Sequence, residues 1–389
     1  MEYFPMRTVC LLGASGSIGT QSLDLFRRDP RSFSLVAASV GRRTEALEAI
    51  LNEFPSVSFA CVLEEADYRK LKQKYPHVSW YFGDDGILDM VRDCPAEIVE
   101  NALVGFAGLR PSLAALEANR VLALANKESL VVGGDLIRGL LAQGKGKLYP
   151  IDSEHVAIAK LFSRVPKQEI DSLWITASGG SFRDKTREEL AKVTPAEALA
   201  HPTWSMGAKI TIDSATMMNK GFEVIEAKVL FDFPLEKTHI LMHRESHVHS
   251  LVRKKDGTYV ADVSAPDMHG PIAYALYEGN VPFDLVEARS LEEIGPFHFA
   301  PFDEKRYLAP GLALQAFQKG GTSRAVLNGA NEEAVYAFLE GKISFLQIES
   351  LVKEAIEGLP SIQNPSIEEI VRADAEARRY VRDAMKGGR

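Results

Sequence analysis

Along the first 150 residues the chain alternates between two spacings of apolar residues. Short apolar runs, RTVCLL (7–12), SFSLVAASV (32–40), FACVLE (59–64), EIVENALV (97–104), RVLALAN (120–126) and KGKLYPID (145–152), are separated by stretches such as TQSLDLFRRD and TEALEAILNEF, whose apolar positions recur every three or four residues. Such runs suit strands buried on both faces, and the intervening period suits helices that cover them. Strand–helix alternation of this kind predicts a parallel, doubly wound sheet.

After residue 150 the texture changes. SLWITAS (172–178) reads as a strand, and AHPTWSMGAKITIDSAT (200–216) as an irregular segment carrying Pro and Trp. MMNKGFEVIEAKVLF has the period of a long helix, and THILMHRESHVHSLVRKKDGTYVADV (238–263) alternates like antiparallel strands about an Asp256-Gly257 turn. Residues 278–310, rich in Pro and Phe and without period, read as a linker, and the remainder is helical. The expected fold is α/β. It has an N-terminal doubly wound (Rossmann-like) parallel sheet over 1–150, a central α+β domain over 151–277, the linker 278–310 and a helical domain over 311–389.

Length and composition narrow the setting. The 389 residues, 46% hydrophobic and 25% charged, are ordinary for a globular chain, and two or three domains are expected because single cores stop growing near roughly 250–300 residues. A net charge of −8 argues against a nucleic-acid partner. Three scattered cysteines, Cys10, Cys61 and Cys94, point to a reducing compartment and to neither a disulfide framework nor a zinc site. The N-terminus has neither a signal nor a transit pattern, and no apolar stretch approaches the roughly 18 residues of a membrane span. A cytoplasmic, membrane-free protein is expected.

Candidate chemistry lies where strands end. Gly13-Ala14-Ser15-Gly16-Ser17-Ile18-Gly19 joins the first strand to the first helix, where glycines let the backbone approach a pyrophosphate. An Asp or Glu ending the second strand would select a ribose hydroxyl. The residues present are Gly41, Arg42 and Arg43, and paired guanidinium groups suit a 2′-phosphate, so NADP is favoured over NAD. Asn126-Lys127-Glu128-Ser129 follows another strand, at the end that lines the crevice of such sheets. Asp152 and Glu154, two residues apart in extended chain, share one face and offer hard oxygen ligands suited to Mg²⁺ or Mn²⁺. A capping Asp before the helix SEHVAIAKLF would explain Asp152 equally well.

Asn219, Glu223 and Glu226 share a face of the helix 216–231, with Lys220 beside them and Asp213 and Ser214 expected at its start. Gly221 in mid-helix costs about 1 kcal/mol against Ala, which suggests close approach of a ligand. Ser178-Gly179-Gly180-Ser181 is a candidate anion nest. His201-Pro202-Thr203-Trp204-Ser205-Met206-Gly207 reads as a lid, its Trp lacking a local apolar period to bury it. Of His239, His243, His247 and His249, only His249 is a functional candidate.

In their order along the chain, GASGSIG, LANKESLV, IDSEH, SGGSF, HPTWSMGAKITIDSATMMNKGFEVIEA, PDM and LNGANEEAVYAFL closely resemble the 1-deoxy-D-xylulose 5-phosphate reductoisomerase family. The resemblance spans residue 9 to about 345. It implies NADPH and a divalent ion (Mg²⁺ or Mn²⁺, with Co²⁺ admitted), a phosphorylated small-molecule substrate, and a homodimer built through the central domain. It implies metal ligands at Asp152, Glu154 and Glu223. It implies substrate contacts at Lys127, Ser153, Glu154, Ser178, His201, Ser214, Asn219, Lys220 and Glu223, with Trp204 in the lid. Cofactor contacts fall on Ser15, Gly16, Ser17, Ile18, Gly41, Arg42, Arg43, Asn126, Glu128 and Gly207. Three positions depart from the family pattern: Ser181 replaces a proline, which is expected to loosen the nest, His269 replaces an arginine, putting an ion pair in doubt, and Ser15 replaces a threonine. A metal-dependent NADP hydroxyacid dehydrogenase and a non-catalytic NADPH sensor are the rival readings. The first would need no rearrangement, and the second no carboxylates or phosphate grip.

Overall fold

A computed structural model describes residues 6–282, 285–286 and 288–387. The chain begins β1 (Arg7–Leu12), α1 (Ser17–Arg28), β2 (Phe33–Ser39), α2 (Thr44–Glu53), β3 (Phe59–Val62), α3 (Glu65–Lys74), β4 (Ser79–Phe82), α4 (Gly83–Asp93), β5 (Ile98–Asn101), α5 (Leu109–Glu117), β6 (Val121–Leu124), α6 (Lys127–Ala142) and β7 (Lys147–Pro150). It continues α7 (Ser153–Arg164), β8 (Ile170–Ala177), α8 (Pro195–Leu199), α9 (Ala208–Thr216), α10 (Met218–Phe231), β9 (Thr238–His243), β10 (Val248–Lys254) and β11 (Tyr259–Val263). The last elements are α11 (His269–Leu276), α12 (Leu291–Ile294), β12 (Phe299–Pro301), α13 (Ala309–Lys319), α14 (Ser323–Leu339), α15 (Phe345–Gly358) and α16 (Ile367–Gly387).

Two compact units result. The first comprises Met1–Ser129, Asp135–Asp152 and Asp267–Ala288, and the second Leu130–Gly134, Ser153–Pro266 and Arg289–Arg389. In the first unit seven parallel strands lie in the order β4-β3-β2-β1-β5-β6-β7. The order reverses between β1 and β5, which places the ligand crevice of such a sheet at their carboxyl ends. Val9, Leu11, Leu25, Phe26, Leu35 and Ile98 form its core together with Ile272 and Leu276 of α11. One polar side chain in this interior is Glu100 of β5, wholly buried and hydrogen-bonded to Ser22 of α1.

The boundary expected at residue 277 differs from this division, for a visible reason. α11 packs on α1, β6 and β7, and polar ties secure the ends of its segment. His269 stands between Asp267 (2.7 Å) and Asp24 of α1 (3.0 Å), Tyr277 donates to Asp29 (2.5 Å), and Glu278 accepts from Arg7 and Lys147, each at 2.7 Å. The tie that His269 put in doubt is therefore made in another form, by an imidazole within hydrogen-bond distance of two carboxylates.

The second unit holds a five-stranded sheet ordered β11-β10-β8-β9-β12. β10 and β11 form the expected antiparallel hairpin, but β9 pairs in parallel with β8 and not with β10. The presumed linker supplies α12 and the edge strand β12, paired with β9 and packed through Phe299 on His243; residues 283, 284 and 287 of that segment lie outside the described residues. α7 and α10 pack on the sheet through Ile158, Leu161, Leu173, Val224 and Val252. Gly221 of α10 admits a helix and not a ligand, since a Cβ there would lie 2.7 Å from Ala313 Cβ and 2.9 Å from Pro310 Cα of α13. No described helix is long and apolar enough to cross a membrane.

Candidate active site

In the first unit the turn after β1 is shaped by two glycines. Gly13 has φ +81°, and a Cβ on it would lie 2.6 Å from the Ala102 carbonyl oxygen beyond β5. A Cβ on Gly19 would lie 2.5 Å from the Gly13 carbonyl. α1 starts after Gly16 with no side-chain cap, which leaves its first N–H groups suited to an anion. Arg43 donates to the Ser15 carbonyl, tying the end of β2 to this turn, while Arg42 is 82% exposed and only 3.7 Å from Glu64. Ser17 and Ile18 open α1, and the space beside Gly41 is empty within 4 Å.

Asn126 caps α6. Its Oδ1 accepts from the Ser129 N–H (3.1 Å), and its amide donates to the Leu103 and Gly105 carbonyls, both at 2.8 Å, and to Glu128 at 3.2 Å. Its side chain thus holds the loop after β5. Lys127 and Asp152, both shielded from solvent, form an ion pair.

In the second unit α7 and α10 bring acids and an amine together. Lys220 Nζ donates to Glu154 Oε1 and to Glu223 Oε2, each at 2.6 Å. Asn219 donates to Glu223 Oε1 (2.5 Å), Ser153 Oγ to Glu154 Oε2 (2.6 Å), and Ser250 Oγ to the Glu154 carbonyl (3.1 Å). Glu226, one turn on, turns instead toward the buried imidazole of His155, 3.2 Å away, whose other nitrogen lies 3.0 Å from the Glu223 carbonyl. A buried carboxylate, Glu223, and a half-buried one, Glu154, on one ammonium form a cation site already filled by a side chain.

Beside this pair lies the nest after β8. Gly179 and Gly180 take φ of +90° and +67°. His201 Nε2 is 3.2 Å from Ser178 Oγ and 3.3 Å from Ser214 Oγ, while its Nδ1 accepts the Thr203 and Trp204 N–H groups at 3.1 and 2.9 Å. With Nδ1 accepting, the neutral ring carries its proton on Nε2, facing the nest. Burial first, then the positive charges of Arg183 and Lys220, lower the His201 pKa to about 4, so the ring is neutral at pH 7. Ser181, in the place of the expected proline, donates to the Ala198 carbonyl (2.6 Å) and so ties the nest down.

Trp204 is half-buried, its ring 6.3 Å from that of His249. His249 is buried, and desolvation lowers its pKa. Gly207 precedes α9. Asp213 and Ser214 are not at the start of α10: residues 208–216 form α9, which stops at Met217 in the left-handed region, φ +64°. Arg183, which the sequence reading passed over, borders the nest, its Cβ 2.7 Å from where a Gly179 Cβ would stand. Its spacing after the glycine pair was the available signal.

A doubly wound dinucleotide unit with arginine at the end of β2, joined to a unit bearing clustered carboxylates and an anion nest, defines an NADP(H)-type oxidoreductase. Family descriptions match over most of the chain: 1-deoxy-D-xylulose 5-phosphate reductoisomerase at residues 9–134, its C-terminal domain at 148–231, and the DXP reductoisomerase C-terminal domain at 263–380. 1-Deoxy-D-xylulose 5-phosphate reductoisomerase of Geobacillus sp. (strain WCH70) is 47% identical over 98% of this chain and 100% of that protein, and a Bacillus anthracis relative is 45% identical with the same coverage. The Zymomonas mobilis enzyme in complex with NADPH superposes with a TM-score of 0.89 at 37% identity, covering 98% of this chain and 99% of that one. A DOX-P reductoisomerase in complex with NADPH, fosmidomycin and magnesium gives 0.91 at 35% identity, covering 98% of each. The chain belongs to the 1-deoxy-D-xylulose 5-phosphate reductoisomerase family.

Proposed function

We propose that the protein rearranges and reduces 1-deoxy-D-xylulose 5-phosphate to 2-C-methyl-D-erythritol 4-phosphate, using NADPH and a divalent cation held by Asp152, Glu154 and Glu223. The observation that carries this reading is the ammonium of Lys220 set between Glu154 and Glu223, beside a nest built on a neutral histidine. The donor set fits a hard divalent ion: it is all carboxylate oxygen, and a cation already stands in it. Asp152 joins the set through the chain, only Ser153 separating it from Glu154. When bound, the ion polarises the substrate carbonyl and stabilises negative charge that develops on its oxygen. NADPH, when bound, supplies the hydride that reduces the aldehyde.

The chain's own residues bind, orient and exclude water. The turn at Ser15–Ile18 and the start of α1 receive the pyrophosphate, and Arg42 and Arg43 the 2′-phosphate. Ser178, Ser214, His201 and Asn219 grip the substrate phosphate; His201 donates from Nε2 and needs no change of charge to do so. Lys220 leaves the carboxylates for an anionic substrate oxygen, and Lys127 contacts a substrate hydroxyl. Trp204 covers the carbon backbone and keeps water from the aldehyde. The same reading carries a homodimer, Mn²⁺ as an alternative to Mg²⁺ and a cytoplasmic location.

The test is NADPH oxidation by 1-deoxy-D-xylulose 5-phosphate with and without EDTA, followed by product analysis. A branched polyol phosphate formed only with free Mg²⁺ or Mn²⁺ supports the reading. A simple reduced ketose, or turnover indifferent to EDTA, overturns it.

A further inference from the structure

Behind the nest stands a buried polar cluster that the reading above leaves unused. Lys209, in the first turn of α9, is 4% exposed, its Nζ 2.7 Å from Asp213 Oδ2 and 5.3 Å from the centre of the Phe222 ring. Asp213 is 2% exposed, and its other oxygen accepts a hydrogen bond from Asn331 Nδ2 of α14 (2.8 Å). Asn331 is wholly buried, and its Oδ1 is without a hydrogen-bond partner. A carboxylate can only accept, so the amide must turn its NH₂ toward Asp213 and leave its oxygen unserved. A lysine at the positive end of a helix, paired out of water, is a poor way to stabilise α9 alone. It makes physical sense as an attachment of α9 to the helix behind it.

Three parts of the nest take their position from α9. Ser214 follows Asp213 directly. A Cβ on Gly180 would lie 2.6 Å from the Ser214 carbonyl oxygen and 2.8 Å from Ala215 Cα, so the glycine turn rests on the α9 backbone. His201 is fixed by the Thr203 and Trp204 N–H groups, on the segment that leads through Gly207 into α9. α14 is itself anchored: Arg378 of α16 bridges Glu332 (2.5 Å) and Asp374 (2.7 Å).

We propose that Asn331 is a positioning residue for the phosphate-binding end of the site, acting through Asp213 to hold α9 and with it Ser214, Gly180 and His201. The proposal rests on the reading that this nest takes the substrate phosphate. Steady-state kinetics of Asn331→Ala should show KM for the phosphorylated substrate and the inhibition constant of inorganic phosphate both raised about tenfold, the scale of a hydrogen bond lost at a buried carboxylate. NADPH affinity and kcat should hold. Asn331→Ser, which keeps a hydroxyl but falls short of Asp213, reads the same quantities if the alanine variant does not fold. In an Asp213→Ala background, which has already lost both this linkage and the Lys209 pair, Asn331→Ala should produce no further loss of phosphate affinity.

Equal decline of kcat, NADPH affinity and phosphate affinity would mark Asn331 as a general structural residue and overturn the proposal. So would additive losses in the double variant. If the wild-type protein neither turns over the phosphorylated substrate nor is inhibited by phosphate, the functional reading and this proposal fall together. If the wild type does both and the Asn331 variants match it, the proposal alone falls.

Discussion

Replacing Glu100 by Gln should stabilise the protein at neutral and alkaline pH and change little near pH 4.5. The carboxyl is wholly buried, and its Oε2 has no hydrogen-bond partner. Burial pushes its pKa from 4.5 up to about 8, against the smaller opposing effect of the Ser22 hydrogen bond. The geometry agrees with a neutral acid: Ser22 Oγ contacts both the carboxyl and the Ile18 carbonyl, 3.1 Å away, and one hydroxyl hydrogen cannot serve two acceptors. A protonated Glu100 resolves the count by donating to Ser22.

The sign then follows from linkage. Below pH 4.5 both folded and unfolded chains hold the proton, and the group contributes nothing. Between pH 4.5 and about 8 the unfolded chain ionises while the folded chain does not, so stability falls as pH rises, and above 8 the loss levels off. At about 1.36 kcal/mol per pH unit, the interval from 4.5 to 7 amounts to roughly 3 kcal/mol. For units of this size that corresponds to a Tm difference on the order of 6–12 °C at pH 7. Circular-dichroism melts of wild type and Glu100→Gln from pH 4.5 to 8.5 should diverge steadily. A constant separation across that range, or a variant less stable at pH 8, would refute the reasoning.

Glu223→Gln should abolish turnover and weaken Mn²⁺ binding in calorimetry while NADPH affinity holds, whereas Glu226→Gln, which alters the contact with His155, should retain metal affinity. Arg42 and Arg43 changed together to Ala should raise KM for NADPH far more than for NADH, and an equal rise for both would make the arginines structural. With Trp80 and Trp174 replaced by Phe, Trp204 emission should change when substrate binds, and Trp204→Ala should raise KM and lower kcat with metal affinity intact. Gly221→Ala should lower the unfolding free energy from urea titration by about 1–3 kcal/mol through collision with Ala313 and Pro310, overriding its gain in helix propensity.

Local chemistry made parts of this molecule legible and hid others. The run RTVCLL followed by GASGSIG revealed β1 and its turn because buried parallel strands are apolar without interruption and the tight turn needs glycine. β4, SWYF, offers four residues with two exposed ends and no such run. α9 escaped because AKITIDSAT is rich in β-branched residues that alternate as a strand would. The contacts that hold it as a helix are a Lys209–Asp213 pair one turn apart and, from outside it, an asparagine 118 residues further on. The same distance hid Asn331, since nothing near either residue signals the other. Gly221 shows the opposite error, a true local anomaly explained by a packed helix and not by a ligand. The Lys220 clamp was legible only as a cluster on one helix face; that its partner Glu154 comes from α7 depended on the fold.

β7 ends at Pro150, while α11, which packs against it, begins at His269. A chain emerging from the ribosome therefore carries the α11-facing side of its first sheet bare while more than a hundred further residues are made. At about 5–20 residues per second that interval lasts roughly 6–24 s. During synthesis the apolar surface later met by Ile272, Ala273, Ala275 and Leu276 is open to chaperones and to other nascent chains. A gene truncated at residue 150 would encode a dinucleotide unit without α11, with that apolar surface left uncovered.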